Sequence, residues 1–354
     1  TTSASHESPL QDFIRRMPKV ELHLHLEGTL EPDLLLRLAK KNSIALPYDT
    51  IEEIQKAYNF TSLDDFLKLY YQGMDVLVDE QDFYDLAWSY LHRVATQDHV
   101  RHAEVFFDPQ PHMQRGVAFD TVVRGFDRAL QDAQTQLDLS SKLIMCFVRH
   151  LSVSSMMETL ELSVPYKDKI AAVGLDSSEK DNPPTKYKEL FAKARGYGYD
   201  CVAHAGEEGP PSYITGSLDD LQVRRIDHGV RATEDAALMQ RLVQDKVPLT
   251  VCPISNCKLC VFPSMQEHNI KQMLDAGVCV TINSDDPAYF GGYITDNFLA
   301  VANEPKLRIT RADVIRIAQN SIDATMLSLQ DKGKLSDELK QYCDSRNPDI
   351  DGAF

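Results

Sequence analysis

Lys19-Val20-Glu21-Leu22-His23-Leu24-His25-Leu26-Glu27-Gly28 is an apolar run, opened just after Pro18, with two histidines one residue apart. In an extended strand residues i and i+2 share a face, so His23 and His25 project together. Leu22, Leu24 and Leu26 then face the other way and can pack under covering helices. Neutral imidazole is the commonest protein ligand for zinc and similar ions. A strand that aims two imidazoles at one point is half of a metal site. A lone His-x-His is equally compatible with packed core histidines or an edge strand, so the rest of the chain has to decide.

Short apolar runs recur along the 354 residues, and with Lys19–Leu26 they make eight. The others are His102–Phe107, Lys142–Phe147, Ala171–Leu175, Asp200–Ala203, Arg225–Ile226, Pro248–Val251 and Val278–Ile282. From the third onward their centres lie roughly 24 to 30 residues apart, a strand plus a crossover helix. Helical patterns fill the intervals, among them Phe119–Leu137, Tyr187–Ala194, Glu234–Gln244 and Gln266–Ala276. Eight β/α alternations point to an α/β fold, a (β/α)₈ TIM barrel, with a doubly wound sheet as the alternative. The first interval is much longer and holds extra helical patterns at Ser62–Leu77 and Glu80–Thr96. It reads as a helical insertion after strand 1, roughly residues 29–98, that caps the barrel mouth. Its dense aromatics (Tyr58, Phe60, Phe66, Tyr70, Tyr71, Phe83, Tyr84, Trp88, Tyr90) are expected mostly in helix packing, with a few lining a pocket. Arg311–Leu327 looks like the closing helix, Lys332–Tyr342 another, and Ser345–Phe354 an irregular acidic tail. The whole of 1–354 is expected to be one barrel domain.

The remaining polar signals fall at strand ends. His23, His25 and Glu27 end the first run, and His204 follows the fifth in Cys201-Val-Ala-His204-Ala-Gly-Glu207. His228 follows the sixth in Arg225-Ile-Asp227-His228-Gly229, and Asp285-Asp286 the eighth in Asn283-Ser-Asp285-Asp286-Pro287. Barrel active sites are built at the C-terminal ends of strands, so these residues share one mouth. Three imidazoles and a carboxylate, His23, His25, His204 and Asp285, suit a single zinc-like ion with water completing its shell. The neighbouring Asp286 cannot easily point the same way and is read as a substrate ligand. Two-metal barrels often place a bridging lysine after the fourth strand, but here that loop reads Gly174-Leu-Asp176-Ser-Ser178, so one metal is expected. Zinc lowers the pKa of its water to about 7, and His228 and Asp285 could orient that water or take its proton. A carboxylic acid at Glu207 could protonate a ring nitrogen of the substrate. The chemistry is metal-assisted hydrolysis of a C–N bond.

Composition limits the partners. The chain is 43% apolar and 25% charged, an ordinary globular balance, with a net charge of −16 that argues against nucleic acid and suits a small substrate. Seven scattered cysteines fit a reducing compartment, and Cys257-Lys-Leu-Cys260 lacks the second pair a structural zinc site needs. The stretch Thr1–Gln11 has no apolar core, and no run approaches the roughly 20 apolar residues of a membrane span. A cytoplasmic (or also nuclear) location with no membrane partner is expected.

His-x-His ending the first strand, His-Ala-Gly-Glu after the fifth, Asp-His-Gly after the sixth and Asp-Asp-Pro after the eighth resemble the adenosine and adenine deaminase family. That family belongs to the metal-dependent hydrolases of the amidohydrolase superfamily. The resemblance runs from about Pro18 to about Ser328. It implies one zinc held by His23, His25, His204 and Asp285. It further implies Glu207 as proton donor to purine N1, His228 assisting the attacking water and Asp286 binding purine N7. Attack at C6 with loss of ammonia then turns a 6-amino purine into a 6-oxo purine. Adenosine deaminases usually carry aspartate where Glu27 stands, reaching a ribose hydroxyl; the longer Glu27 is expected to fill the ribose space and leave room for a free base. His-Leu-Glu-Gly-Thr-Leu-Glu-Pro, Gly-Leu-Asp-Ser-Ser-Glu and Asp-Asp-Pro-Ala-Tyr-Phe-Gly-Gly-Tyr are similar to the adenine-deaminating branch. Where relatives have Leu-Ala-Gly-Asp-Glu, with a glycine amide on purine N3, this chain has Ser177-Ser178-Glu179, so Ser178 or a nearby amide is the candidate replacement. The expected function is zinc-dependent deamination of adenine to hypoxanthine and ammonia in purine salvage, with N6-substituted adenines or adenosine as alternative substrates. A catalytically silent barrel would predict a broken site residue, and none is broken.

Overall fold

A computed structural model describes residues 8–346. Its strands are β1 (Lys19–Glu21), β2 (Val100–Phe107), β3 (Ser140–Val148), β4 (Ile170–Asp176), β5 (Asp200–Ala205), β6 (Arg225–His228), β7 (Pro248–Val251) and β8 (Cys279–Ile282). They lie in sequential order with every neighbouring pair parallel. A doubly wound sheet reverses its strand order at a switch point. This one does not reverse, and the chain is a (β/α)₈ barrel with helices between its strands.

All eight expected runs are strands, but several boundaries differ, and those of β1, β5 and β6 bear on the site. The first ladder stops at Glu21, because the Leu22 amide bonds the Asn283 side chain (2.8 Å) instead of a neighbouring strand's backbone. The chain then threads between β2 and β8. On one side Phe106 N–H donates to Leu24 O (2.8 Å) and Leu26 N–H to Phe106 O (2.9 Å); on the other, His25 N–H donates to Asp285 O and Asp285 N–H to His23 O, each 3.0 Å. These bonds close the barrel. β5 and β6 run further than expected, so that His204 and His228 lie within the strands, paired opposite Asp227 and Ala205.

The alternation in the first run is kept. Leu22, Leu24 and Leu26 are fully buried in the core between sheet and helices. A second, smaller cluster of Phe106, Ile144, Cys146, Ala172 and Val202 comes from alternating positions of β2 to β5 and fills the barrel lumen. The His23 and His25 rings each pack 5.0 Å from Phe106 on that inner side. Beneath them the lumen is charged. The buried Arg225 guanidinium donates to Glu104 Oε2 (2.7 Å) and to Leu22 O (3.0 Å), with its Nε 3.4 Å from Asp227 Oδ1. Burial pushes Glu104 up, but Arg225 and His102 more than offset it and hold the carboxyl down to about 2.

The insertion contributes helices Pro32–Asn42, Ile51–Ala57, Leu63–Met74 and Glu80–Gln97. Ser62 caps Leu63–Met74 by accepting from Asp65 N (3.2 Å), and the helix turns Leu63, Phe66 and Tyr70, at three- and four-residue spacing, onto the barrel mouth. Phe66 and Tyr70 are thus the aromatics that line the pocket, while Phe83 and Tyr90 lie in the sheet–helix core. The chain closes with helices Arg311–Ala324 and Leu329–Ser345. Of the expected tail, residues 347–354 lie outside the described residues, as do residues 1–7 of the polar start. No described helix is long and apolar enough to cross a membrane.

Removing one partner of a buried ion pair costs about 3–5 kcal/mol, so Glu104→Gln should lower unfolding stability by that order in urea titration at neutral pH. The folded pKa of about 2 lies below the ordinary 4.5, so the pair's contribution is complete above pH 4.5 and is lost as pH falls through 2. The deficit of the variant should therefore shrink across that acid window.

Candidate active site

At the C-terminal ends of the strands, ligand atoms of His23, His25, His204 and Asp285 all lie within 4.8 Å of one another, and all four residues are buried. His25 Nε2 is 3.2 Å from His204 Nε2; Asp285 Oδ1 is 3.2 Å from His23 Nε2 and 3.5 Å from His25 Nε2. His204, His228, Glu207, Asp285 and Asp286 line one pocket with His25. Convergence depends on local backbone. His228 and Asp285 both adopt φ +65°, a left-handed conformation rare outside glycine, which swings each side chain off its strand end toward the centre. Gly28 is needed for a different reason: a Cβ there would stand 2.0 Å from Asp286 Oδ1.

Each imidazole is held from behind. His23 Nδ1 is 2.9 Å from Thr250 Oγ1, whose hydroxyl donates to Asp227 Oδ1 (2.8 Å). The other oxygen of Asp227 faces His204 Nδ1 at 3.7 Å, and Asp176 Oδ2 faces His25 Nδ1 at 3.6 Å. Such carboxylates fix ring orientation and tautomer in metal-binding histidines. For His228 the tautomer follows from a chain of buried bonds. Ile270 N–H donates to His268 Nδ1 (3.1 Å), so the His268 hydrogen sits on Nε2 and donates to Asn256 Oδ1 (3.2 Å). The Asn256 amide therefore turns its N–H to His228 Nδ1 (3.3 Å). That leaves the His228 hydrogen on Nε2, which faces Glu207 Oε2 at 3.5 Å and Asp285 Oδ2 at 3.7 Å.

Charge is divided sharply within the site. Burial, then the other imidazoles, holds His204 well below its ordinary value; burial alone lowers His268 to about 3, and burial with His23 lowers His228 to about 3. The rings are neutral. Burial pushes Asp285 up, but His23, His228 and His25 more than offset it, so this carboxylate is ionised. Glu207 and Asp286 move the other way. Burial and the Asp285 charge drive both well above the usual carboxylate range. One buried carboxylate thus stands beside two carboxylic acids, an arrangement suited to moving protons.

Two expected positions are placed elsewhere. Glu27 does not reach into the pocket: its Oε1 accepts from Asp108 N–H (3.1 Å) and from His112 Nε2–H (2.9 Å), which draw the carboxylate toward the loop after β2. Ser178 does not line the pocket either. Ser177 does, in a left-handed turn at φ +71°, with its hydroxyl shared between Tyr71 Oη (3.2 Å) and His150 Nδ1 (2.8 Å). Cys257 and Cys260 belong to no metal-binding cluster among the described residues.

Four residues escaped the sequence reading. Glu179 accepts hydrogen bonds from the backbone amides of Gly206, Glu207, Glu208 and Gly209 at 2.7–3.0 Å, and so builds the turn that presents Glu207. Arg149 donates to His204 O (2.8 Å) and Asn182 O (3.0 Å), tying the same turn to the loop after β4. Asp227 stood inside the Asp-His-Gly motif, and Asp108 follows Phe107 at the end of an apolar run. Their positions, like those of the histidines, were the available signal.

The adenosine deaminase family model matches residues 18–342. Adenine deaminase of Acinetobacter baylyi is 54% identical over 93% of this chain and 98% of its own length, and that of Hahella chejuensis 53% over 94% and 99%. The crystal structure of adenine deaminase from Arthrobacter aurescens superposes with a TM-score of 0.90 at 46% identity, over 93% of this chain and 99% of that one. An Arabidopsis N6-mAMP deaminase shares the fold (TM-score 0.78, 93% and 99% covered) at 19% identity. A match of this extent makes the chain a member of the adenosine deaminase family.

Proposed function

We propose that the chain is a metal-dependent aminohydrolase that converts free adenine and water to hypoxanthine and ammonia, as in purine salvage. The observation that carries this reading is identity above 50% to adenine deaminases over nearly the full length of both chains, with His23, His25, His204 and Asp285 clustered and Glu207, His228 and Asp286 lining the same pocket.

The donor set fits a single zinc ion. Three imidazoles and an ionised carboxylate converge, and His23 Nε2 is buried without a hydrogen-bond partner. His23, His25, His204 and Asp285 would hold the ion. When bound, it supplies Lewis-acid activation of the attacking water. The chain's own groups do the rest. His228, with its hydrogen on Nε2, donates to the water oxygen and orients its attack on C6. This tautomer leaves proton acceptance to the ionised Asp285, whose Oδ2 faces the same space. Glu207, a carboxylic acid, gives its proton to N1 as the C6–O bond forms. Asp286 donates to N7 and fixes the ring. Returning protons to the departing amino group releases ammonia as the C6–N bond breaks. The lid residues Leu63, Phe66 and Tyr70 cover the ring and exclude bulk water.

A panel of adenine, adenosine, 2′-deoxyadenosine and N6-alkyl adenines should give the highest kcat/KM with adenine. A higher value with adenosine or an N6-alkyl adenine would overturn the free-base reading. Glu207→Gln should keep full metal content by elemental analysis while losing at least about three orders of magnitude in kcat; near-normal turnover would remove it as the acid. Asp227→Asn should weaken zinc binding by about 10–100-fold in competition with a chelator, because the amide can no longer serve both rings.

A further inference from the structure

We propose that Asp108, at the end of β2, accepts the imidazole N–H of the free base and is the residue that selects against purines substituted at N9. The inference rests on the adenine reading above and names the group that imposes it. With C6 at the metal ligands, N1 toward Glu207 and N7 toward Asp286, three sides of the purine are assigned. The edge carrying N3 and N9 must face the polar wall that remains, which consists of Asp108, Asp176 and Ser177. The Ser177 hydroxyl is shared between Tyr71 and His150; the Asp176 carboxyl has its Oδ2 behind His25 and also hydrogen-bonds the Asp108 carboxyl. Asp108 is 1% exposed and lines the pocket; its Oδ1, like Asp176 Oδ1, is buried without a donor, but it is Asp176 that is already turned to His25.

A buried, unpaired carboxyl oxygen is costly to desolvate unless a ligand supplies the donor. Adenine supplies one. With N7 accepting from Asp286, the ring hydrogen sits on N9, beside N3. A nucleoside has carbon at that position, so it offers no donor and brings bulk against a wall that cannot recede. The wall is braced: Asp108 N–H donates to Glu27 Oε1, and His112, itself bonded to Arg115, holds the same oxygen. Glu27 thus contributes to selection indirectly, by fixing the loop that carries Asp108. Burial and the neighbouring acids Asp176 and Glu27 raise Asp108 well above the carboxylate range, and either protonation state leaves an oxygen able to accept.

The test compares kcat/KM for adenine and 9-methyladenine in the metal-loaded wild type and in Asp108→Ala. Sites built to pair an N–H reject the analogue lacking it by up to about 10⁴-fold, so the wild type should favour adenine at least about 1,000-fold. Asp108→Ala should lose about 30–300-fold on adenine, mostly in KM, with 9-methyladenine unchanged or improved, so the preference collapses. A folded, metal-replete variant that keeps the wild-type ratio overturns the inference and leaves the adenine reading intact. If the variant does not fold, a wild type that turns over 9-methyladenine as well as adenine overturns it equally. A wild type inactive on adenine overturns the adenine reading itself, whatever the variant does.

Discussion

Asp285 accepts a hydrogen bond from His25 N–H and donates one to His23 O, and in doing so joins the last strand region to the first. Its left-handed backbone then sends the carboxylate inward, to within 3.2 Å of His23 Nε2 and 3.7 Å of His228 Nε2. Closure of the barrel and convergence of the site are therefore one event. The histidines cannot meet the carboxylate unless the ends of the sheet meet, and the ends meet through the residues that carry these side chains. A barrel has no free edge to slide along, so the register at this seam is held from both sides.

The cost of this design lies in buried charge. The lumen holds Glu104, Arg225 and Asp227 with almost no exposure, and each ion is tolerated because the next one faces it. The network has a direction. It starts at Glu104 on β2, crosses to Arg225 on β6, and ends at Asp227, which stands behind His204 directly and behind His23 through Thr250. Electrostatic order in the lower barrel is thereby passed to the orientation of two rings at the mouth. Above the rings the balance changes sign: burial and the Asp285 charge outweigh Arg149 at Glu207, and they drive Glu207 and Asp286 to hold protons.

Much of the site could be read along the chain because barrel topology puts strand ends in one place. Once eight apolar runs are recognised, His204, His228 and the Asp285-Asp286 pair need no distance measurement to be grouped with His23 and His25. What failed was the direction of individual side chains. Glu27 has the spacing of a pocket residue, but two donors from the loop after β2 capture one of its oxygens. Ser177 and Ser178 are chemically alike in sequence, and the left-handed turn at Ser177 decides which of them lines the pocket. Glu179 was invisible for the opposite reason. Its partners are backbone amides of residues 206–209, which have no signature in a sequence.

The sequence by itself determined the barrel, the order of its strands, the four residues that cluster as candidate ligands and the class of chemistry. Those follow from the period of apolar residues and the placement of polar ones after them, both of which are local. Only the tertiary structure decided which protons sit where. The His228 tautomer depends on Ile270, His268 and Asn256, and the open oxygen on Asp108 depends on what its neighbours have already bonded. Both are properties of hydrogen bonds between residues distant along the chain. A hydrogen bond fixes a proton only when donor and acceptor stand within about 3 Å, and folding alone brings these groups that close.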